Sequence, residues 1–274
     1  MNKLHRVLLL CTFVSISHFA SAALITVASD NASNYGNAWA GNGGGGGADW
    51  QFADFQAGGA AGTFLAQSQG DLNNIDTADK GWGTFANDGG QNNGGFNQSV
   101  AFRGFAGNSL DTMGDQLQVS LEHGAIIAGG SVGFNLRNQN NNLVVGDYNA
   151  LSRLEFSFVG GTNSYSIFDG NGQVDTGIGF TDAGLDIQFS LLSADTYQFQ
   201  VFNAQNSNLL VSFSGDLAGS GSIDSIALFN RNAELGNAYF NSLSILEEKS
   251  LAVPEPHSAL LFLVGFGALL RRRK

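Results

Sequence analysis

From about residue 98 onward the chain alternates apolar and polar residues with a period of two, in one short stretch after another. Leu117, Val119 and Leu121 alternate with polar neighbours, as do Val132, Phe134 and Leu136, and Leu154, Phe156 and Phe158. The pattern returns in Leu185, Ile187, Phe189 and Leu191, in Tyr197, Phe199 and Val201, and in Leu209, Val211 and Phe213. Ile226 with Leu228 and Leu243 with Ile245 close the series. This period places successive side chains on opposite faces of an extended strand. No stretch of the body keeps a helical period over about 11 residues. Each strand therefore has one face to bury and one for water, which two antiparallel sheets facing each other satisfy, as would a closed barrel. More than about ten such strands would make a very wide barrel. The expected fold class is all-β, a two-sheet antiparallel sandwich.

Turn chemistry agrees. No proline lies between Ala23 and Ala252, so Gly, Asn and Asp must make the turns. Asp169-Gly170-Asn171-Gly172, between strands predicted at 165–168 and 174–178, reads as a hairpin. The 22 phenylalanines of the chain supply a bulky inner face. The first third of the body is less regular. Residues 63–65 and 82–85 read as short strands there, and the glycine run 43–47 as a surface loop. A phosphate-binding loop would need a following helix and usually a lysine, which this run lacks.

Between residues 23 and 250 the chain carries six basic and 22 acidic side chains, a net charge of −16. Such a surface repels nucleic acid and anionic lipid and could attract divalent cations. The single cysteine, Cys11, lies ahead of this region, so the body is held by burial alone, without disulfides or cysteine-ligated metal.

The two ends read as addresses. Lys3 and Arg6 precede an apolar run at 7–13, and Ala20-Ser21-Ala22 fits a small-residue cleavage pattern that would make Ala23 the first mature residue. At the other end Val253, Pro254, Glu255 and Pro256 precede a hydrophobic helix expected at 257–270, then Arg271, Arg272, Arg273 and Lys274. The 13 uncharged residues from Ser258 fall short of the ~20 a comfortable span needs, which suits a transient anchor. The basic cluster should stay cytoplasmic. The division expected is a signal peptide at 1–22, an ectodomain at 23–248 and a sorting tail at 249–274. The tail resembles the PEP-CTERM sorting signal of Gram-negative bacteria. That resemblance implies export by the secretion machinery, transient inner-membrane anchoring, removal of the tail by an exosortase-type enzyme, and delivery to the cell surface or extracellular polysaccharide.

A second resemblance rests on Trp82-Gly83-Thr84-Phe85-Ala86-Asn87, Asp175-Thr176-Gly177-Ile178-Gly179-Phe180-Thr181, Ala194-Asp195-Thr196-Tyr197 and the late runs 226–230 and 239–243. Together they resemble the jelly-roll, concanavalin A/laminin-G-like sandwiches often joined to PEP-CTERM tails. This implies a fold and, at most, a tendency toward glycan or calcium binding.

Candidate chemistry is sparse. His123 is the one histidine of the body, beside Glu122 at a strand end, and no Gly-x-Ser-x-Gly elbow accompanies it, which argues against a catalytic triad. Zinc would need several His or Cys ligands. Glycoside hydrolysis needs two facing carboxylates. Glu155 has no acidic partner at Ser157, and Asp182 and Asp186 flank a glycine turn. Asp169, Asn171 and Asp175 place oxygen ligands around the hairpin and are the candidate calcium ligands, though Gly172 is misplaced for an EF-hand loop and the same residues are ordinary turn formers. Trp39 and Trp50, flanking the glycine run, are the candidate sugar-stacking platforms, while Trp82 reads as core. The expected role is noncatalytic, structural or adhesive, with weak glycan binding and no cofactor. The alternatives are a polysaccharide-active enzyme on the same fold or a calcium-stabilised adhesin.

Overall fold

The computed structural model describes residues 22–250, except 46, 69–73, 88–95, 139–147, 150 and 235. One compact unit spans Leu24–Glu248. A second comprises Met1–Ala23 and Lys249–Lys274, of which only the residues opening the first strand and closing the last are described. The strands are β1 (Ala22–Asp30), β2 (Gln51–Gln56), β3 (Ala60–Ala66), β4 (Gly81–Asn87), β5 (Asn97–Gly104), β6 (Gln116–His123), β7 (Ser131–Arg137) and β8 (Ser152–Val159). They continue as β9 (Tyr165–Asp169), β10 (Gly172–Asp175), β11 (Leu185–Leu191), β12 (Thr196–Asn203), β13 (Leu209–Asp216), β14 (Ser225–Arg231) and β15 (Ala238–Ser250). Among the described residues the only helix is one 3-10 turn, Ala32–Asn34, capped by Asn31, whose side chain accepts from the Ser33 amide.

The strands form two antiparallel sheets. The eight-stranded sheet runs β13-β12-β11-β6-β15-β4-β3, with β1 also paired to β15. The seven-stranded sheet runs β10-β9-β8-β7-β14-β5-β2. The fold is the all-β, two-sheet antiparallel sandwich expected from the alternation. The apolar members of each alternating stretch meet between the sheets: Leu117, Val119 and Leu121 face Phe134, Phe156 and Ile226 in one continuous core. Phe156 stacks on Tyr165 at 5.2 Å and contacts Phe199 from the opposite sheet at 5.2 Å.

The structure departs from the simple pattern in three places. β5, β7 and β14 are buried on both faces, because Val100, Phe102, Tyr148, Ala227 and Phe229 make a second apolar cluster on the outer side. Leu209 is 52% exposed rather than inward. The register shifts at Val201/Phe202, so Leu210 is an extra residue and Leu209 moves to the outer face opposite Phe202. The irregular first third contributes β1 and β2, which no alternation announced.

That first third is organised by a buried ion pair. Asp30, at the end of β1, receives Arg103 from β5, and both side chains are 2% exposed. The same carboxylate accepts the Tyr35 hydroxyl at 2.5 Å, the Trp50 indole N–H at 3.2 Å and the Asn34 amide at 2.9 Å. The glycine run folds over this pair. A Cβ on Gly44 would lie 2.0 Å from Asp30 Oδ1, and one on Gly47 would lie 2.2 Å from Arg103 Nε. Glycine is required there by close approach.

Removing one member of such a pair leaves an uncompensated buried charge, which costs about 3–5 kcal/mol. Asp30→Ala should lower the unfolding free energy by that amount, read in urea titration as a lower midpoint at unchanged m. The double variant Asp30→Leu/Arg103→Met should recover most of the loss, and an unchanged midpoint for Asp30→Ala would show that the pair is not what holds this end.

Candidate functional site

The outer face of the eight-stranded sheet is built from the polar members of the alternating stretches. β6 contributes Gln116, Gln118, Ser120 and Glu122, and β11 contributes Asp186, Gln188 and Ser190. Strand pairing lines these up in rows across the sheet. One row reads Ser244, Gln118, Gln188, Gln200 and Ser212. The next reads Ser120, Asp186, Phe202 and Leu209. Neighbours along a row repeat at the strand spacing of about 4.8 Å.

A groove of about 360 Å³ lies over these rows, lined by Gln118, Ser120, Asp186, Gln188 and Phe202, with Ser207 and Ser242 at its margins. Ser207 and Ser242 both adopt left-handed backbone, with φ of 59° and 54°. Ser242 lies in the register shift of β15 between Asn241 and Ser244, and Phe202 lies at the shift of β12 against β13. The groove is thus bordered on both sides by bulges, the devices that re-aim side chains at sheet surfaces. Ser120 donates to Asp186 Oδ1 at 2.6 Å. Asp186 Oδ2 and the amides of Gln118, Gln188 and Gln200 have no hydrogen-bond partner among the described residues. The groove therefore offers several donors and acceptors, one charge and one half-buried aromatic ring, and Asp186 is the one acid lining it.

At the end of β6, Glu122 continues the same face but is buried. Its Oε2 accepts from the Ser68 hydroxyl at 2.9 Å, while Oε1 has no partner. Asp76 accepts the Ser68 amide at 3.1 Å, so two carboxyls share one serine. Burial first, and the nearby Asp76 and Asp182 charges second, push Glu122 up to about 7 against the Ser68 bond. His123 points the other way, into the core. Its Nδ1–H donates to the Gly124 carbonyl at 2.7 Å, which leaves Nε2 to accept the Tyr165 hydroxyl at 2.7 Å. Burial lowers its pKa to about 4, so it stays neutral. With both ring nitrogens engaged, His123 has no nitrogen left for a serine nucleophile.

The sugar-platform expectation for Trp39 and Trp50 is corrected. Both are interior, at 5% and 4% exposure. Trp39 stacks on the buried Trp82 at 5.6 Å, and Trp50 meets Trp39 edge-on at 5.0 Å. The glycine run packs onto Asp30 and Arg103 and the Gly41–Trp50 bridge closes the loop, so its flanking tryptophans are drawn inward. The hairpin at 169–172 forms, but its three oxygen residues do not converge. Asp169 pairs with Gly172 while Asp175 pairs with Ser166, at the opposite end of the ladder. Asp169 accepts from the Asn171 amide and the Tyr197 hydroxyl, and Asp175 accepts from Ser164 and Gly177. Among the described residues no group of three or more His, Cys, Asp or Glu side chains could hold a metal ion. Ala22 and Ala23 open β1. Ala20, Val253, Pro254, Glu255, Pro256 and the cluster Arg271, Arg272, Arg273 and Lys274 lie outside the described residues.

No protein-family model matches this chain, and no curated protein matches it. Among solved structures it is similar to a legume lectin-like domain from Entamoeba histolytica, at 8% identity and a TM-score of 0.41 over 74% of this chain and 90% of that one. It is also similar to the Ca2+/Man3GlcNAc-bound exoplasmic/lumenal domain of VIP36, at 8% identity and 0.41 over 76% and 88%. A carbohydrate esterase, vb_24B_21, from Shiga toxin-encoding bacteriophage phi24B gives 12% identity and 0.46 over 83% and 100%. The chemistry of the groove rests on this chain's own residues.

Glu122 and His123 give the fold opposite pH responses. The Glu122 pKa is raised in the fold, so its contribution to stability is fully present below about 4.5 and is lost as pH rises through about 7. The His123 pKa is depressed, so its contribution is present above 6.5 and is lost as pH falls through about 4. Glu122→Gln should therefore flatten the fall in melting temperature between pH 5 and pH 8. An identical slope in wild type and variant would count against an ionising Glu122.

Proposed function

We propose that the compact unit is a noncatalytic polysaccharide-binding domain of the cell surface or extracellular matrix, and that the groove on the eight-stranded sheet is its binding face. The observation that carries this reading is the row of unengaged amides, Gln118, Gln188 and Gln200, set across neighbouring strands beside Asp186 and Phe202. Side-chain amides and a carboxylate at regular spacing suit the repeated hydroxyls of an extended glycan running across the strands. Phe202 supplies an apolar wall for a sugar ring. A noncatalytic role is favoured because a glycosidase needs a second carboxylate across the cleaved bond, and Asp186 stands without one in the groove. Calcium is not needed for this mode of recognition.

The route to that location rests on the sequence at the two ends. The leader hands the chain to the secretion machinery, and the segment 257–270 holds it in the inner membrane. An exosortase-type enzyme then removes the tail at Val253, Pro254, Glu255 and Pro256, with Arg271, Arg272, Arg273 and Lys274 as the cytoplasmic stop.

The double variant Asp186→Ala/Gln188→Ala should weaken retention on extracted native surface polysaccharide about tenfold or more, since a hydrogen bond to a charged group contributes about 1.5–3 kcal/mol. Affinity electrophoresis measures this, and a chelator should leave wild-type retention unchanged. Equal retention of variant and wild type at equal melting temperature would refute the groove as the binding face. For the tail, Pro254→Ala/Glu255→Ala should leave a full-length, membrane-held form on immunoblots. Normal release of that variant would speak against exosortase processing.

A further inference from the structure

Four strands end the two sheet paths: β13 and β3 in the eight-stranded sheet, β10 and β2 in the seven-stranded one. A bare strand edge offers unpaired N–H and C=O groups to another strand, and proteins blunt such edges with charges, short strands or covering contacts. Three of the four are blunted. β2 carries the exposed Asp54. β10 is four residues long and ends in the exposed Asp175. On β3 the Ala61 carbonyl accepts the Gln56 side-chain amide at 2.9 Å, and the Gly62 carbonyl accepts the Ser99 hydroxyl at 3.0 Å.

β13 is not blunted. It has eight residues, none of them buried. No charged side chain lies anywhere from Thr196 to Gly215, in a body of net charge −16. The phase of its ladder follows from its end. The Leu217 amide donates to the Asp195 carbonyl at 2.7 Å, on the β12 side, while the Asp216 carbonyl faces the other way and accepts the Gly170 amide at 2.8 Å. Antiparallel pairing alternates from there, so Gly215, Phe213 and Val211 bond to β12, and Ser214 and Ser212 turn their backbone groups outward. No described residue meets those outward groups. The inner side chains add an apolar margin. Val211 and Phe213 share a face with Val201 and Phe199 and pack against the core while staying half-exposed.

We propose that β13 is an interface between two copies of this chain, paired antiparallel across a two-fold axis so that the two eight-stranded sheets become one. The open stretch is complementary to itself. It is bounded at one end by Asp216, whose carbonyl is already used, and at the other by the bulge at Leu210, and Phe213 lies midway. A two-fold axis at Phe213 lays each bound on the other. Ser212 then faces Ser214 of the second copy, so the outward groups of both serines are paired. Phe213 meets its own counterpart as a non-hydrogen-bonded pair, where side chains stand closest. Each Asp216 falls opposite Leu210, so no like charges confront each other across the axis. The absence of charge is also what favours a second copy as the occupant. Two strongly acidic bodies repel everywhere else, and an uncharged edge gives a charged partner nothing to read.

The test is sedimentation velocity of the mature domain at about 5 to 500 µM, the range suited to a small, transient interface. Wild type should shift from monomer to dimer, and added salt should strengthen the dimer by screening the repulsion between the two bodies. Ser212→Glu/Ser214→Glu sets like charges opposite each other and should weaken association about tenfold or more. Ser214→Pro removes only an outward N–H and should do the same, with the monomer's melting temperature unchanged in both variants. The mature domain has no cysteine, so Phe213→Cys introduces a single thiol on the axis and should give a disulfide-linked dimer on mild oxidation, whereas Val211→Cys, opposite Gly215, should not. A wild type that stays monomeric throughout would leave the edge to a strand of another protein and overturn the proposal. Dimers that survive both edge variants, or equal cross-linking at the two cysteine positions, would overturn it as well.

Discussion

Asp30 is the point around which the first third of the chain is arranged. One carboxylate accepts from an arginine, a tyrosine, an indole and an asparagine amide, so segments separated by as many as 73 residues converge on two oxygens. Burying a charge is unfavourable unless it is paired and its remaining lone pairs are satisfied. Tyr35, Trp50 and Asn34 meet that condition, and in doing so they fix the order of everything around them. The tryptophan cluster of Trp39, Trp50 and Trp82 forms against this set, and the glycine run closes over it because a side chain at Gly44 would collide with Asp30 and one at Gly47 with Arg103. A chain without disulfides holds its least regular segment through this one network.

Most of the sandwich was legible in the order of residues. Period-two stretches located the later strands, and the Asp-Gly-Asn-Gly signal located the hairpin between β9 and β10. What escaped was anything that depended on which strands become neighbours. Gln118 and Gln188 look like unremarkable polar partners in two separate strands. They form a row only because β6 and β11, far apart in sequence, pair directly. Asp186 likewise read as a turn acid beside a glycine, whereas pairing sets it opposite Ser120 on the sheet face. Trp39 and Trp50 were misjudged for the converse reason. Local composition, aromatic rings beside a flexible glycine run, suggests exposure, and the long-range ion pair that draws them inward leaves no local mark. The Leu210 bulge is similar, since alternation alone predicts an unbroken strand.

The two sheet faces share an architecture and differ in chemistry. The eight-stranded face presents uncharged amides and hydroxyls around one carboxylate, and the seven-stranded face presents a guanidinium beside a carboxyl whose ionisation is disfavoured. Between the sheets the core takes the apolar half of the alternating strands, whereas the outer side of the seven-stranded sheet also carries the apolar cluster of Val100, Phe102, Tyr148, Ala227 and Phe229. This separation lets a single small domain carry two unlike surfaces on a shared interior. Opposite placement on the sandwich also gives each surface its own approach direction.

β15 is the longest strand, 13 residues, and it is paired on both sides, with β6 along one edge and with β4 and β1 along the other. It is also the strand through which the compact unit is continued toward the C-terminus. A pull applied at that end acts along the strand axis, and the hydrogen bonds of both ladders lie across that axis. They are loaded together in shear instead of being peeled one at a time. Such a load is therefore resisted by both ladders of β15 at once, a property of where the last strand sits in the sheet and independent of any ligand.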